Sequence, residues 1–313
     1  MARYLGIDTS NYTTSVALYN SASGEVWQRK QLLPVKDGAL GLRQSDAVFS
    51  HVKQIGALIE SLFQEHGGAP DGIGVSVRPR DAEGSYMPCF LVGETAARCV
   101  AAVCGVPLSC VSHQAGHIAA ALYSTGRLDL IGQRFAAFHL SGGTTECVIV
   151  QPRTGNPLTV NLFAQSLDLK AGQAVDRVGG MLGLPFPAGP RLEELARRSK
   201  KTFRIKAASK GADCSLSGIE NKCRSMLDAG EAPCDVARFC LDSILAALTH
   251  MTVSVRNAYG EIPLVYAGGV MSNAMIRTAM ETRFGGLFAQ PQFSADNAAG
   301  TAVLARVMQE DSV

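Results

Sequence analysis

Apolar positions fall along the chain in short blocks separated by glycine, hydroxyl and charged residues, and the blocks alternate between strand-like and helix-like spacing. Tyr4–Asp8 reads as a buried strand and Ser15–Tyr19 as its hairpin partner, with TSNYT (9–13) as the turn. Gly41–Phe63 carries Val48, Val52, Leu58, Ile59 and Leu62 at the spacing of a surface helix. Ile73–Val77 is a strand, Cys89–Val103 an Ala-rich helix and Val106–Val111 a strand, followed by a helix in HQAGHIAAAL (113–122). Phe135–Leu140 and Cys147–Val150 are strands flanking SGGTTE. Helices open near Gly172, near Pro190 and after CSLSGIENK, and a longer one, Val236–Val255, turns Phe239, Ile244, Leu245, Leu248 and Met251 inward. Ile262–Tyr266 is a strand ending in AGGVMSN before another helix. Leu287–Phe293 is strand-like, and Asp296 begins a closing helix. The alternation describes an α/β chain.

Length and composition sharpen this only slightly. The 313 residues suggest two domains, and 47% hydrophobic with 18% charged residues is ordinary for a globular protein. A net charge of +2 is too small to argue for nucleic acid by itself. Nine cysteines form no CxxC pair and no signal peptide precedes the first strand, which reads as reduced thiols and a cytoplasmic location. No stretch approaches a transmembrane span, and no membrane association is expected.

The candidate chemistry lies at the ends of strands and the starts of helices. His113 and His117 are four apart, so a helix turns both imidazoles to one side, within reach of one metal ion; two satisfied histidines near a helix start fit the spacing as well. A site needs a further oxygen ligand, for which Asp296 is the candidate, although it fits equally as a helix N-cap. The turn after Asp8 offers hydroxyls and backbone N–H groups to a phosphate, or is an ordinary Thr/Ser/Asn turn. SGG (141–143) between two strands allows close backbone approach. Gly172 opens a helix on which Gln173 and Asp176 stand about one turn apart, suited to ribose hydroxyls or to solvent. Strand, Gly268–Gly269 and helix form the more specific nucleotide signal, with Asn273 placed either to cap the helix or to touch the ligand. RPRDAEGSY (78–86) and the basic run 200–210 are solvated charge or anion-binding surfaces.

Taken in order, these motifs resemble the Kae1/TsaD/Qri7 family, formerly called glycoproteases. The likeness runs from LGIDTS (5–10) through HQAGH (113–117), SGGTT (141–145), AGQAVDRVGGMLGLPFPAGP (171–190), SLSG (215–218) and AGGVMSN (267–273) to SADNAAG (294–300). The resemblance implies a two-lobed actin/Hsp70/sugar-kinase-like (ASKHA) fold with a nucleotide cleft between lobes. Its N-terminal lobe would be 1–110, completed by a C-terminal helix of about 297–313, and its C-terminal lobe 111–296. It implies transfer of a threonylcarbamoyl group from threonylcarbamoyl-AMP to adenine 37 of tRNA. One divalent metal, Fe2+, Zn2+ or Mg2+, would be held by His113, His117 and Asp296. ATP, AMP or a carbamoyl-adenylate would meet Ser10, Thr14, Gly142, Gly143, Thr144, Gly172, Gln173, Asp176, Gly189, Gly268, Gly269 and Asn273. Ser141, Gly142 and Gly143 would stabilise charge, and Asp8 is the candidate general base. Partners implied are an adenine nucleotide, tRNA and proteins of the threonylcarbamoyladenosine pathway.

The chain also departs from the family pattern. Tyr12 and Thr13 replace two acidic residues, Ala115 and Thr144 replace a glutamate and a histidine, Gln173 replaces a carboxylate, and Glu220 replaces a lysine. RPRDAEGSY takes the place of a GPG loop. A conserved frame with altered decoration reads as a divergent bacterial paralogue. The alternatives are a carbamoyltransferase or kinase-like paralogue with another acceptor, and a non-catalytic partner of the tRNA-modifying complex. The peptidase label has no HExxH behind it, because position 114 is Gln.

Overall fold

Arg3–Ser10 (β1) is buried along nearly its whole length, which suits only a central strand covered on both faces. The computed structural model describes residues 2–10, 12–34, 42–153, 156–294 and 298–310. After β1 come β2 (Thr13–Asn20), β3 (Val26–Leu32), α1 (Gln44–His66), β4 (Gly72–Arg78), α2 (Phe90–Cys104), β5 (Leu108–Ser112) and α3 (His113–Ser124). Then follow β6 (Phe135–Leu140), β7 (Thr145–Arg153), β8 (Asn156–Gln165), α4 (Ala171–Met181), α5 (Gly189–Ala196), the short β9 (Ser209–Lys210) and β10 (Asp213–Cys214), α6 (Ser217–Asp228) and α7 (Pro233–Tyr259). The chain continues through β11 (Leu264–Ala267), α8 (Ala274–Phe284), β12 (Leu287–Phe288), α9 (Pro291–Ser294) and α10 (Ala299–Glu310).

These elements form two units. The first comprises Met1–Gln133, Gln151–Val160 and Gln292–Val313, the second Arg134–Val150 and Asn161–Pro291. In the first, the sheet order is β3-β2-β1-β4-β5, with β1–β2 and β2–β3 antiparallel and β1–β4 and β4–β5 parallel. Helices α1 and α2 pack on the sheet, as does α10. The break falls after Gln133, whereas the expected boundary lay at 110, because α3 packs against α10, β4 and β5 of the first unit. In the second, the order is β12-β11-β6-β7-β8, with β6–β7 antiparallel and β6–β11 and β11–β12 parallel.

The core of the second unit is built on α7. Ala237, Leu241, Ile244, Leu248, Met251 and Val255 recur at helical spacing and are buried. Phe239 and Leu245, expected inward, pack against the edge of that cluster. By length and composition α7 is apolar enough to cross a bilayer, contrary to the expectation that no stretch approaches this; 56% of its most apolar stretch is buried in the fold, as in the core helix of a globular protein. β3 and β8 were not foreseen, since Arg29 and Lys30 break the apolar pattern of β3, an edge strand. Leu287–Phe293 is a two-residue strand followed by a helical turn at Pro291. Gly41, the expected start of the first helix, and Asn11 of the TSNYT turn lie outside the described residues.

Candidate active site

The three parallel strands β1, β4 and β5 end on one edge of the first sheet, where open α/β sheets place their ligands. β5 runs directly into α3, whose N-cap is Ser112: its Oγ accepts from Ala115 N at 3.2 Å. That cap puts His113 in the first turn and His117 one turn on, and their Nε2 atoms stand 2.9 Å apart. Asp8 near the end of β1 is almost wholly buried and reaches His113 Nδ1 with Oδ2 at 2.7 Å, while its Oδ1 accepts from Ser10 N at 3.0 Å. A carboxylate on Nδ1 fixes the ring so that Nε2 offers its lone pair, the usual support behind a metal-bound histidine. Two nitrogens about 2.1 Å from one cation and at right angles stand about 3 Å apart, so the pair fits adjacent positions on a divalent ion. Among the described residues no set of three His, Cys, Asp or Glu side chains completes a site. Asp296 lies outside the described residues.

The hydroxyls at the end of β1 and the start of β2 point into the protein. Thr9 Oγ1 donates to Cys89 O at 2.9 Å and accepts from Gly93 N at 3.1 Å. Thr14, fully buried, donates to Gln54 Oε1 at 2.7 Å and therefore accepts from His51 Nδ1, also at 2.7 Å. Ser10 is buried as well, with no partner for its Oγ among the described residues. Ser10 and Thr14, expected at the nucleotide, thus belong to the interior of the first unit. In the loop after β4, Arg78 pairs with Asp81 at 2.8 Å, so its charge is already met within the loop expected to bind anions.

The second unit holds a pocket of about 380 Å3, within the range of small-molecule sites. It gathers Ser141, Gly142, Gly172, Asp176, Gly189, Gly269 and Asn273 from the predicted set. The turn after β6 is closed on itself: Ser141 N donates to Thr144 O at 2.7 Å and Thr144 N to Ser141 Oγ at 3.1 Å. The N–H groups of Gly142 and Gly143 have no partner among the described residues, and the two glycines are exposed. α4 begins directly on this turn. Ala171 N donates to Thr145 Oγ1 at 2.8 Å and Gly172 N to Ser141 O at 3.0 Å, and a Cβ at Gly172 would lie 2.6 Å from Gly142 N. Asp176, one turn along, accepts from Ala188 N at 2.9 Å and so holds the PFPAGP loop over the pocket. Asn273 caps α8 through Ile276 N at 3.1 Å and faces the pocket too.

Gly143, Thr144, Gln173 and Gly268 do not line it. Gln173 Oε1 accepts from Lys170 N at 3.2 Å and so closes the first turn of α4. Gly268 has φ +97°, and a Cβ there would overlap the Leu140 carbonyl; it is a packing glycine between the ends of β6 and β11. Sequence reasoning missed Glu193, whose Oε2 accepts from Ala274 N at 3.2 Å, and the apolar wall of Val175, Val270 and Leu241. The signal for Glu193 was its place four residues after Gly189 on α5, which puts both on one face.

Residues 41–303 match the profile of a family described as TsaD, tRNA N6-adenosine threonylcarbamoyltransferase. The chain belongs to the TsaD family. A curated tRNA N6-adenosine threonylcarbamoyltransferase of Archaeoglobus fulgidus is 27% identical over 301 residues, spanning 94% of this chain and 88% of that protein. Among solved structures, component A of (R)-2-hydroxyglutaryl-CoA dehydratase from Acidaminococcus fermentans superposes with TM-score 0.56 at 16% identity over 100% of both chains. Full-length HypF in its phosphate- and nucleotide-bound form superposes with TM-score 0.62 at 12% identity, over 99% of this chain and 55% of that one. At such identities these structures bear on fold alone, the two-lobed α/β fold of the actin/Hsp70/sugar-kinase superfamily. TsaD membership makes the protein an enzyme of threonylcarbamoyladenosine-type tRNA modification, with a fold consistent with nucleotide binding.

Proposed function

We propose that the protein transfers a threonylcarbamoyl group from threonylcarbamoyl-AMP to the exocyclic amine of adenine 37 in tRNA. The observation that carries this is the pocket with the Ser141–Thr144 turn on its wall, where the N–H of Gly142 and that of the neighbouring Gly143 have no partner among the described residues and can meet an anion. In the transfer, a bond forms between the adenine nitrogen and the carbamoyl carbon, the bond from that carbon to the phosphate oxygen breaks to release AMP, and the proton displaced from the amine leaves to solvent. Gly142 and Gly143 N–H donate to the negative charge that develops on oxygen, at no cost of reorganisation. Asp176 and Asn273 orient the ribose and base, and Val175 and Leu241 exclude water from the apolar side. A divalent cation (Fe2+, Zn2+ or Mg2+) held by His113, His117 and Asp296 would supply Lewis acidity to the adenylate phosphate. Asp8 is engaged by His113 and Ser10 N, so in this reading it is the residue that orients His113 and not the general base.

The test is reconstitution with an unmodified tRNA transcript, ATP, threonine, bicarbonate and the adenylate-forming partner, reading modified nucleoside by mass spectrometry. The native chain should form the product. H113A and H117A should each lose bound metal and at least about a hundredfold in product formation, with nucleotide affinity retained. A native protein with metal and nucleotide bound that leaves the tRNA unmodified sinks this reaction in favour of another acceptor.

A further inference from the structure

Thr202–Lys206 is an extended segment whose burial alternates, with Phe203 and Ile205 half-buried and Thr202, Arg204 and Lys206 exposed. Phe203 sets the register by packing edge-on against Phe239 of α7, ring centroids 5.4 Å apart. Arg204 and Lys206 therefore share one outward side. Beside them α7 presents Arg238, Asp242, Leu245 and Thr249 as a stripe at helical spacing, and Arg283 comes from the end of α8. Together they bound an open groove of about 650 Å3 in the second unit.

The charge in this groove is arranged unlike that elsewhere in the unit. Arginines on other faces meet a carboxylate: Arg177 with Glu220, Arg197 with Glu193, Arg256 with Glu261 and Arg277 with Glu281. In the groove Asp242 is taken by Arg238 at 2.9 Å. Arg204, Lys206 and Arg283 are exposed and have no ion-pair partner among the described residues, and Lys200 and Lys210 flank them in the same condition. Like charges gathered without counter-charge repel one another, which costs stability unless a polyanion occupies the groove. The groove is also close to the nucleotide pocket. Leu241 lines the pocket while Arg238, Asp242 and Leu245 line the groove, so the two lie on adjacent faces of one helix, within about 10 Å of each other.

We propose that this groove binds the phosphate backbone of the RNA substrate, with Arg204, Lys206 and Arg283 as its phosphate contacts. The proposal rests on the reading of the protein as a tRNA-modifying enzyme for the choice of RNA over an acidic peptide. Guanidinium forks suit phosphate oxygens, and contacts of this kind hold the RNA in register without reading its sequence.

Binding of a fluorescein-labelled, unmodified tRNA transcript to the full chain tests it, by anisotropy across about 50 to 200 mM salt. The triple variant R204E/K206E/R283E should bind at least about tenfold more weakly and flatten the slope of log K against log salt by about two, at roughly 0.7 per lost contact. Affinity for a fluorescent ATP analogue should stay within about twofold of native, showing that the second unit is folded. Equal tRNA binding by native and variant, or none by the native chain, overturns the groove. So does polyglutamate binding as tightly as tRNA through the same three residues, which reassigns the surface to an acidic protein. A native chain that modifies tRNA while the variant binds tRNA unchanged refutes the groove alone; a variant that loses RNA binding although the native chain makes no modified base refutes only the reaction.

Discussion

The first and second units share one strand order, an antiparallel first pair with a third strand beyond it and two parallel strands on the other side, yet they use the junction between their first two strands in opposite ways. Where β1 ends and β2 begins, two hydroxyls are consumed: Thr9 by Cys89 O and Gly93 N, Thr14 by His51 and Gln54. Between β6 and β7 the turn itself carries Gly142 and Gly143; Gly142 lies on the wall of a pocket, and neither backbone N–H has a partner among the described residues. A hydroxyl that can fold back on its own protein is satisfied locally and buries well. A glycine has nothing to fold back, so its amide remains for a ligand. The same strand order therefore gives an open or a closed site according to whether the residues at the strand ends carry side chains that can reach inward.

The comparison breaks first at Gly172. A Cβ there meets the backbone of Ser141 and Gly142, at 2.7 Å and 2.6 Å, and backbone cannot yield as a flexible side chain does. G172V should lift α4 off the turn and weaken nucleotide binding by about thirtyfold, or about 2 kcal/mol, in a fluorescent-nucleotide titration. Unchanged affinity would mean that the turn is not the nucleotide's anion site. Thr14 is the matching test of the closed turn. T14V keeps the shape and strips the hydroxyl, leaving His51 Nδ1–H and Gln54 Oε1 unpaired inside the protein. Stability should fall by about 2 kcal/mol in urea while nucleotide affinity holds. Loss of nucleotide affinity with stability intact would instead place a ligand at the first turn.

Much of this plan was legible in the chain, and the parts that were not share a cause. Phe135–Leu140 is the strand that its apolar run predicts, and the His113–His117 spacing does bring two ring nitrogens together. Periodicity reports which side of an element is buried, so Leu241, Ile244 and Leu248 follow from it. It is silent on which neighbour takes a given hydrogen bond. That is why Ser10 and Thr14 read as nucleotide contacts although the fold buries them, and why Gln173 read as a ribose contact although its carbonyl closes the first turn of α4. Asp8 was visible as a carboxylate ending a strand; its partner, His113, stands more than a hundred residues away and is fixed only by the parallel pairing of β1, β4 and β5. Edge strands such as β3 are hidden for another reason, since charge that protects an open edge erases the alternation that identifies a strand.

The smallest effect expected is a pH dependence belonging to the closed turn alone, because Gly142 and Gly143 of the open one carry no ionisable side chain. Thr14 donates its hydrogen bond to Gln54, so His51 holds a hydrogen on Nδ1 and keeps Nε2 bare and buried, with no partner among the described residues. Burial lowers the pKa of this imidazole below its ordinary 6.5, against smaller opposing contributions from the Ser10 backbone and from Asp8. In the unfolded chain His51 takes up a proton near pH 6.5; in the folded protein it does so only at lower pH. The folded state therefore binds fewer protons in that window, and stability is full above pH 6.5, declines as the pH falls below it, and levels off below the folded value. Urea unfolding of the native chain and H51Q at pH 7.5, 6.5 and 5.5 should show a shallower decline for the variant. Parallel declines would mean that the proton is taken up elsewhere, and a native stability that rises on acidification would show His51 to be charged in the fold, against the cost of burying that charge.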